Sequence, residues 1–252
     1  MGAKTVCELY REDECPKEDA ERALALCSNP GLGFTVAGIG EAMLGNTAIG
    51  LKMWLSCLVA SVIIAILSTR NNAVNHANIP RNSEKSDIKN PSQKTPVEKR
   101  TNTQIVTDSI SDSSLSLVKI CAFVVIFKTL SSIFLGITAS LPITGYLSAP
   151  LPAALIACVF EFSSGIQTLI KAFITPVTLS LPYIKTVQPL HLLITATLAW
   201  SGVSVHMQTS AFTASNGLKL KNYYLQKLSS TLLSPLCFLA ISYIELLFKA
   251  LI

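Results

Sequence analysis

The feature that most constrains this chain is how little charge its second half carries. Residues 115–252 hold two carboxylates, Glu161 and Glu245, with eight lysines and no arginine. They are built from four apolar stretches: "LSLVKICAFVVIFKTLSSIFLGI" at 115–137, "APLPAALIACVFEFSSGIQTLIKAFI" at 149–174, "QPLHLLITATLAWSGVSVHM" at 188–207 and "STLLSPLCFLAISYIELLFKALI" at 230–252. Each approaches the ~20 apolar residues a helix needs to cross a bilayer. A soluble domain of this size needs more charge on its surface. The whole chain is 14% charged, against about 25% for soluble domains, and its mean hydropathy is +0.49. A soluble all-α domain with a large core is the alternative, and the near-spanning runs weigh against it. The expected fold is all-α: a polytopic, multi-pass helical membrane protein with broken or re-entrant helices, whose first partner is the lipid bilayer.

The first half is mixed. Residues 18–26, "EDAERALAL", combine good helix formers with acids in the first turn, and Pro16 stands near the start, where proline is tolerated. "CSNPGLG" then breaks the pattern, with Asn29-Pro30-Gly31 a turn signal by itself. An apolar stretch at 32–68 follows, interrupted by Glu41, Asn46 and Lys52, and "MWLSCLVASVIIAIL" at 53–67 is its clearest span. Its closely spaced glycines predict a tightly packed or broken helix and lack the spacing of a phosphate-binding loop. Residues 69–114 have no aromatic residue, seven Lys/Arg and five Asp/Glu. That composition cannot offset the entropy of ordering, so a disordered hydrophilic linker is expected. The chain thus divides into a polar helix with membrane helices (1–68), a linker (69–114) and a second membrane segment (115–252). About four to six spans result, depending on whether 31–47 and 149–174 cross or re-enter.

Several chemistries are disfavoured. The seven cysteines are scattered without a C-x-x-C and the three histidines are far apart, so no metal site is expected. No nucleophile–base set or cofactor loop is apparent, which argues against an enzyme and against a cofactor. The net charge of +5 is spread through loops without a basic-aromatic module, which argues against nucleic acid.

Three polar breaks interrupt the apolar chain. Glu161 lies near the centre of a spanning-length run and is followed by "FSSGIQT". A mid-helix charge costs about 2.5–3.5 kcal/mol on insertion, so Glu161, Ser163, Ser164 and Gly165 are candidates for a broken helix lining a polar cavity. The alternative is a glutamate that pairs with Lys171 or faces the headgroups. In "SGVSVHMQTS", Gly202 permits a break, and Ser204, His206 and Gln208 carry hydrogen-bonding groups. In an irregular segment these three share one side, on a helix they spread, and the composition leaves a cavity and a span end equally open. Ser28 and Asn29 mark the third break. A faint repeat pairs "GAKTVCELY" at 2–10 with "GVSVHMQTS" at 202–210, a hint of an inverted repeat with broken helices meeting at a solute site.

These breaks carry a family resemblance. Gly2-Ala3-Lys4 with "EDAERALALCSNPG", "FEFSSGI" at 160–166 and "SGVSVHMQTS" at 201–210 resemble segments of the sporulation integral membrane protein YlbJ family, within the nucleoside recognition (Gate) domain superfamily. Ser201 stands where the family has a first glycine, and Leu32 where a proline is common. The chain also begins part-way into the family's pattern, so a missing N-terminal half or a homo-oligomer is expected. The resemblance implies a transporter-like protein of sporulation that moves a small anionic or nucleoside-like solute, dipicolinic acid among them, across a forespore membrane. It implies that Glu161, Ser163, Ser164, Gly165, Ser204, His206, Gln208, Ser28 and Asn29 surround the solute, with His206 and Lys171 as charge partners for an anion. The alternative it leaves is a non-transporting Gate subunit that acts by assembling with partner membrane proteins.

Overall fold

A computed structural model describes residues 2–77, 101–140, 149–174 and 183–251, and among them every regular element is a helix. The α-helices are α1 (Gly2–Arg11), α2 (Lys17–Cys27), α3 (Thr47–Ala77), α4 (Asn102–Ser140), α5 (Pro150–Phe160), α6 (Phe162–Ile174), α7 (Tyr183–Trp200), α8 (Gly202–Ala214) and α9 (Lys221–Leu251). A π-helix, Phe34–Met43, precedes α3.

Four segments are long and apolar enough to cross a membrane: Thr47–Thr69, Asn102–Ile137, Pro189–Ala214 and Lys221–Ala250. They sit at different depths in the protein. An 18-residue apolar window of Pro189–Ala214 is 61% buried and one of Asn102–Ile137 only 6%, so α7–α8 is an inner element and α4 an outer one. α3 and α9 run antiparallel, tied by Lys52 Nζ–Glu245 Oε2 (2.8 Å) at one end and Gln226 Nε2–Ser68 Oγ (3.1 Å) at the other. At 1.5 Å rise per residue those ties lie about 24 Å apart along α3, most of the ~30 Å thickness of a hydrocarbon core.

The main core gathers Met53 and Cys57 of α3, Ala154 and Cys158 of α5, Ile166 and Leu169 of α6, Ile194 and Leu198 of α7, and Phe238 of α9. A second core joins Ala3, Val6 and Cys7 of α1 and Ala20 and Leu24 of α2 to Leu218 and Tyr223. The polar N-terminal helices therefore form a small body docked on α8 and the start of α9.

Two helices are broken in the middle, each for a local reason. Between α5 and α6 only Glu161 is extended (φ −144°, ψ 114°), and α6 folds back along α5. Gly165 makes this possible, because a Cβ there would lie 2.5 Å from Cys158 N and would also strike Cys158 Cα. Residues 149–174 are thus a hairpin of two helices. Between α7 and α8, Ser201 and Gly202 are both left-handed (φ 70° and 76°), a conformation that costs a non-glycine residue about 1–2 kcal/mol. The π-helix packs on α3 just as closely: a Cβ on Gly40 would stand 2.8 Å from Gly50 Cα.

The linker expectation is corrected at both ends. Residues 69–77 are the last turns of α3. Residues 102–114 are the first turns of α4. Thr101 starts that helix, its N–H donating to Gln104 Oε1 at 2.9 Å, one half of a capping box that composition alone hides. Residues 78–100, the centre of the expected linker, lie outside the described residues.

Candidate functional site

The α5–α6 and α7–α8 breaks interlock. Gly202 sits so close to the hairpin tip that a Cβ would meet Phe162 N at 3.0 Å and Glu161 Cα at 3.3 Å. Trp200 Nε1 donates to Val159 O at 3.4 Å across the same junction.

Glu161 is fully buried at this tip. Its carboxylate accepts from Ser163 N (3.0 Å), Ser164 N (2.7 Å) and Ser163 Oγ (2.8 Å to each oxygen). These donors are the opening N–H groups of α6, and the carboxylate closes that helix where its dipole favours negative charge. The alternative pairing with Lys171 is not what the carboxylate makes. Ser163 and Ser164 act in this cap, and Gly165 acts in the packing of the hairpin. An anion seeking the α6 N-terminus finds it filled by the chain's own glutamate.

The break after α2 is closed by its own side chains. Ser28 Oγ donates to Leu24 O (2.6 Å), Ser28 N to Ala25 O (3.4 Å) and Asn29 Nδ2 to Leu26 O (3.0 Å). Ser61 Oγ of α3 donates to Asn29 Oδ1 at 2.8 Å. Ser28 and Asn29 thus serve as the C-terminal cap of α2, which accounts for their residue types before any ligand is considered.

They also face a cavity. A space of about 340 Å³ is lined by Cys27, Ser28, Asn29 and Gly31 on one side and by Val205, Gln208, Thr209 and Phe212 of α8 on the other, with Gly2 and Ala3 closing it. The lining combines amides, hydroxyls and apolar groups, and no charged side chain is among these described residues. Gln208 is half-buried, and its amide makes one long contact, 3.5 Å to Ser204 Oγ, which leaves most of its hydrogen-bonding capacity facing the space.

α8 is helical through 202–214, so the expectation that all three spread is corrected: Ser204 and Gln208, four residues apart, share a face, and His206 between them points the other way. Ser204 is buried. His206 turns away from the cavity into an aromatic cluster with Trp200, Tyr223 and Tyr224. Its Nδ1 meets Tyr223 OH at 2.8 Å, while Nε2 is buried with no partner. The structure therefore gathers Ser28, Asn29 and Gln208 around one cavity. Glu161, Ser163, Ser164 and Gly165 stand at the hairpin tip behind the α7–α8 break, and Lys171, further along α6, is not among the cavity's lining residues.

A second pocket of about 240 Å³ lies on the other side of α1, lined by Lys4, Arg11 and Lys119 together with Glu8. Beside it, Cys7 is buried, and that burial pushes its thiol above the usual range, with the Glu8 charge adding and a hydrogen bond with Asn216 opposing.

Sequence reasoning missed Tyr223, Thr209 and Lys227. Lys227 lies in the lysine-bearing stretch 216–228, which by the positive-inside rule reads as a loop facing the cytoplasm, yet residues 221–228 open α9 and Lys227 is fully buried. No pattern in the sequence ties it to Ser28, 199 residues away.

The chain matches no protein-family model, no curated protein and no solved structure. No group of three or more metal-ligating side chains is found among the described residues.

Proposed function

We propose that this chain is a multi-pass integral membrane protein that binds and moves a small polar solute. The observation that carries the reading is the cavity between two of its polar breaks, where Ser28 and Asn29 face Gln208 and Thr209. Irregular backbone at membrane depth is tolerated where it is buried in protein or lines a cavity, and transporters place solute sites between broken helices. The volume, about 340 Å³, falls at the lower end of small-molecule sites, roughly 300–1,000 Å³. An uncharged lining rich in amides and hydroxyls suits a neutral hydrogen-bonding solute of nucleoside type better than a dicarboxylate. The YlbJ resemblance extends the reading to a forespore membrane during sporulation. Under it an anion such as dipicolinate would find its cations at Lys4, Arg11 and Lys119 rather than in this cavity.

The test is binding of uridine and of dipicolinate to the purified full chain. Gln208→Ala is expected to weaken uridine about tenfold, the worth of one hydrogen bond, with an unchanged melting temperature. Equal uridine affinity in the variant and the wild type would remove the cavity from the reading.

The outward position of α4 favours a second reading, a subunit that assembles with partner membrane helices or with further copies of itself. Ile110, Val118, Ile126 and Phe134 are all exposed on it. Native mass of the protein extracted with lipid separates the two: a lone protomer that takes up uridine excludes the assembly reading.

A further inference from the structure

Among the described residues Lys227 is the most deeply buried cation, in the first turns of α9. Among the described residues no carboxylate pairs with it. Its three ammonium protons instead have three oxygen acceptors: Ser28 O at 2.6 Å, Ala199 O at 3.3 Å and Ser201 Oγ at 3.3 Å. Ser28 caps α2, and Ala199 and Ser201 end α7. The negative ends of two helix dipoles and their orphan carbonyls therefore converge on one point. The hydroxyl of Ser201 spends its own proton on Leu198 O at 3.1 Å, so it faces the ammonium as an acceptor. A neutral amine would turn a lone pair toward this all-oxygen set. The cage suits a cation, and a buried one without counter-charge is tolerated only because these dipoles solvate it.

Carbonyls at the C-terminal ends of broken helices, with a hydroxyl, are the ligand type that holds Na⁺ in ion-coupled transporters. We propose that the ends of α2 and α7 form a monovalent-cation site, which this chain fills with the ammonium of Lys227 in place of a dissolved ion. Ser28 lies both in this cage and on the solute cavity, so the tethered cation also fixes the cavity wall. For its consequence, that solute binding needs no Na⁺, the inference rests on the solute-binding reading; the cation site itself does not.

The test is thermal unfolding of the full chain in detergent, in NaCl, methylammonium chloride or N-methylglucamine chloride at equal concentration. The wild type is expected to melt alike in all three. Lys227→Ala is expected to lose roughly 5–10 °C in N-methylglucamine and to regain at least half of it with Na⁺ or methylammonium. Loss without rescue by either ion, or a wild type that Na⁺ itself stabilises, overturns the proposal. Should the alanine variant not fold, Lys227→Gln, whose longer side chain reaches toward the cage, offers an amide oxygen as an extra ligand. Its recovery as folded protein only in Na⁺ or methylammonium supports the site, and failure in every salt overturns it. Uridine binding by the wild type in Na⁺-free buffer is the separate arm. Its absence beside a positive thermal result fails the solute reading alone.

Discussion

Replacing Glu161 by glutamine separates a structural glutamate from a solute ligand. The carboxylate is fully buried and accepts from three donors, the N–H groups of Ser163 and Ser164 and the hydroxyl of Ser163, whose Oγ stands 2.8 Å from each carboxylate oxygen. A glutamine keeps one oxygen and puts an NH₂ where the other stood. The serine hydroxyl can rotate to suit it, but one backbone N–H, that of Ser163 or Ser164, then points at another donor. Losing a hydrogen bond to a charged group costs about 1.5–3 kcal/mol, and losing the negative charge at the α6 N-terminus adds about 0.3–1 kcal/mol. The sum, about 3 kcal/mol, corresponds to a fall of roughly 6–12 °C in melting temperature for a chain of this length. A thiol-reactive dye reads this in detergent, because Cys57 and Cys158 are buried until the core opens. Glu161→Asp retains a carboxylate at a position where aspartate caps well, and it is expected to recover most of the loss. If Glu161→Gln melts within 2 °C of the wild type while uridine binding disappears, the carboxylate is a solute ligand and the capping argument is wrong.

Two further outcomes follow from the packing and the electrostatics. Gly202→Ala forces a side chain onto a φ of 76° and within 3.0 Å of Phe162 N, so it is expected to lower the melting temperature by roughly 5–10 °C and loosen the hairpin tip; an unchanged melt refutes the interlock. Because burial raises the Cys7 thiol, its thiolate is scarcer than an ordinary thiol's at pH 8, and its alkylation rate should still be climbing about tenfold per pH unit above the usual thiol range. Site-resolved mass spectrometry after timed labelling checks this, and a rate that levels off below pH 8.5, the ordinary thiol value, contradicts it.

Much of the fold is legible in the residues themselves. Long runs with few charges yield the helices of spanning length, and "FEFSSGI" and "SGVSVHM" mark where two of them break. The breaks can be read because their causes are local: a glutamate that caps the next helix, and a serine–glycine pair in left-handed backbone. The start of α4 is not legible from composition, since a polar, hydroxyl-rich segment looks the same whether or not Thr101 and Gln104 close a cap.

The site divides along the same line. Ser28, Asn29, Glu161 and Gln208 stand out in the sequence because polar groups in apolar surroundings need partners. Which of them share a space depends on chain crossings that no periodicity encodes. Glu161 finds its partners two and three residues away, so it closes a helix rather than lining the cavity. Lys227 finds its own on two helix ends, 199 and 28 residues distant. The sequence by itself determined an all-helical chain with membrane-length segments and three polar breaks, because apolar length and helix-terminating residues act locally. Only the tertiary structure decided that two of those breaks lock together, that the third faces α8 across a cavity, and that a lysine in a stretch that reads as a polar loop is buried among backbone and hydroxyl oxygens. Those outcomes rest on contacts between residues far apart in the chain.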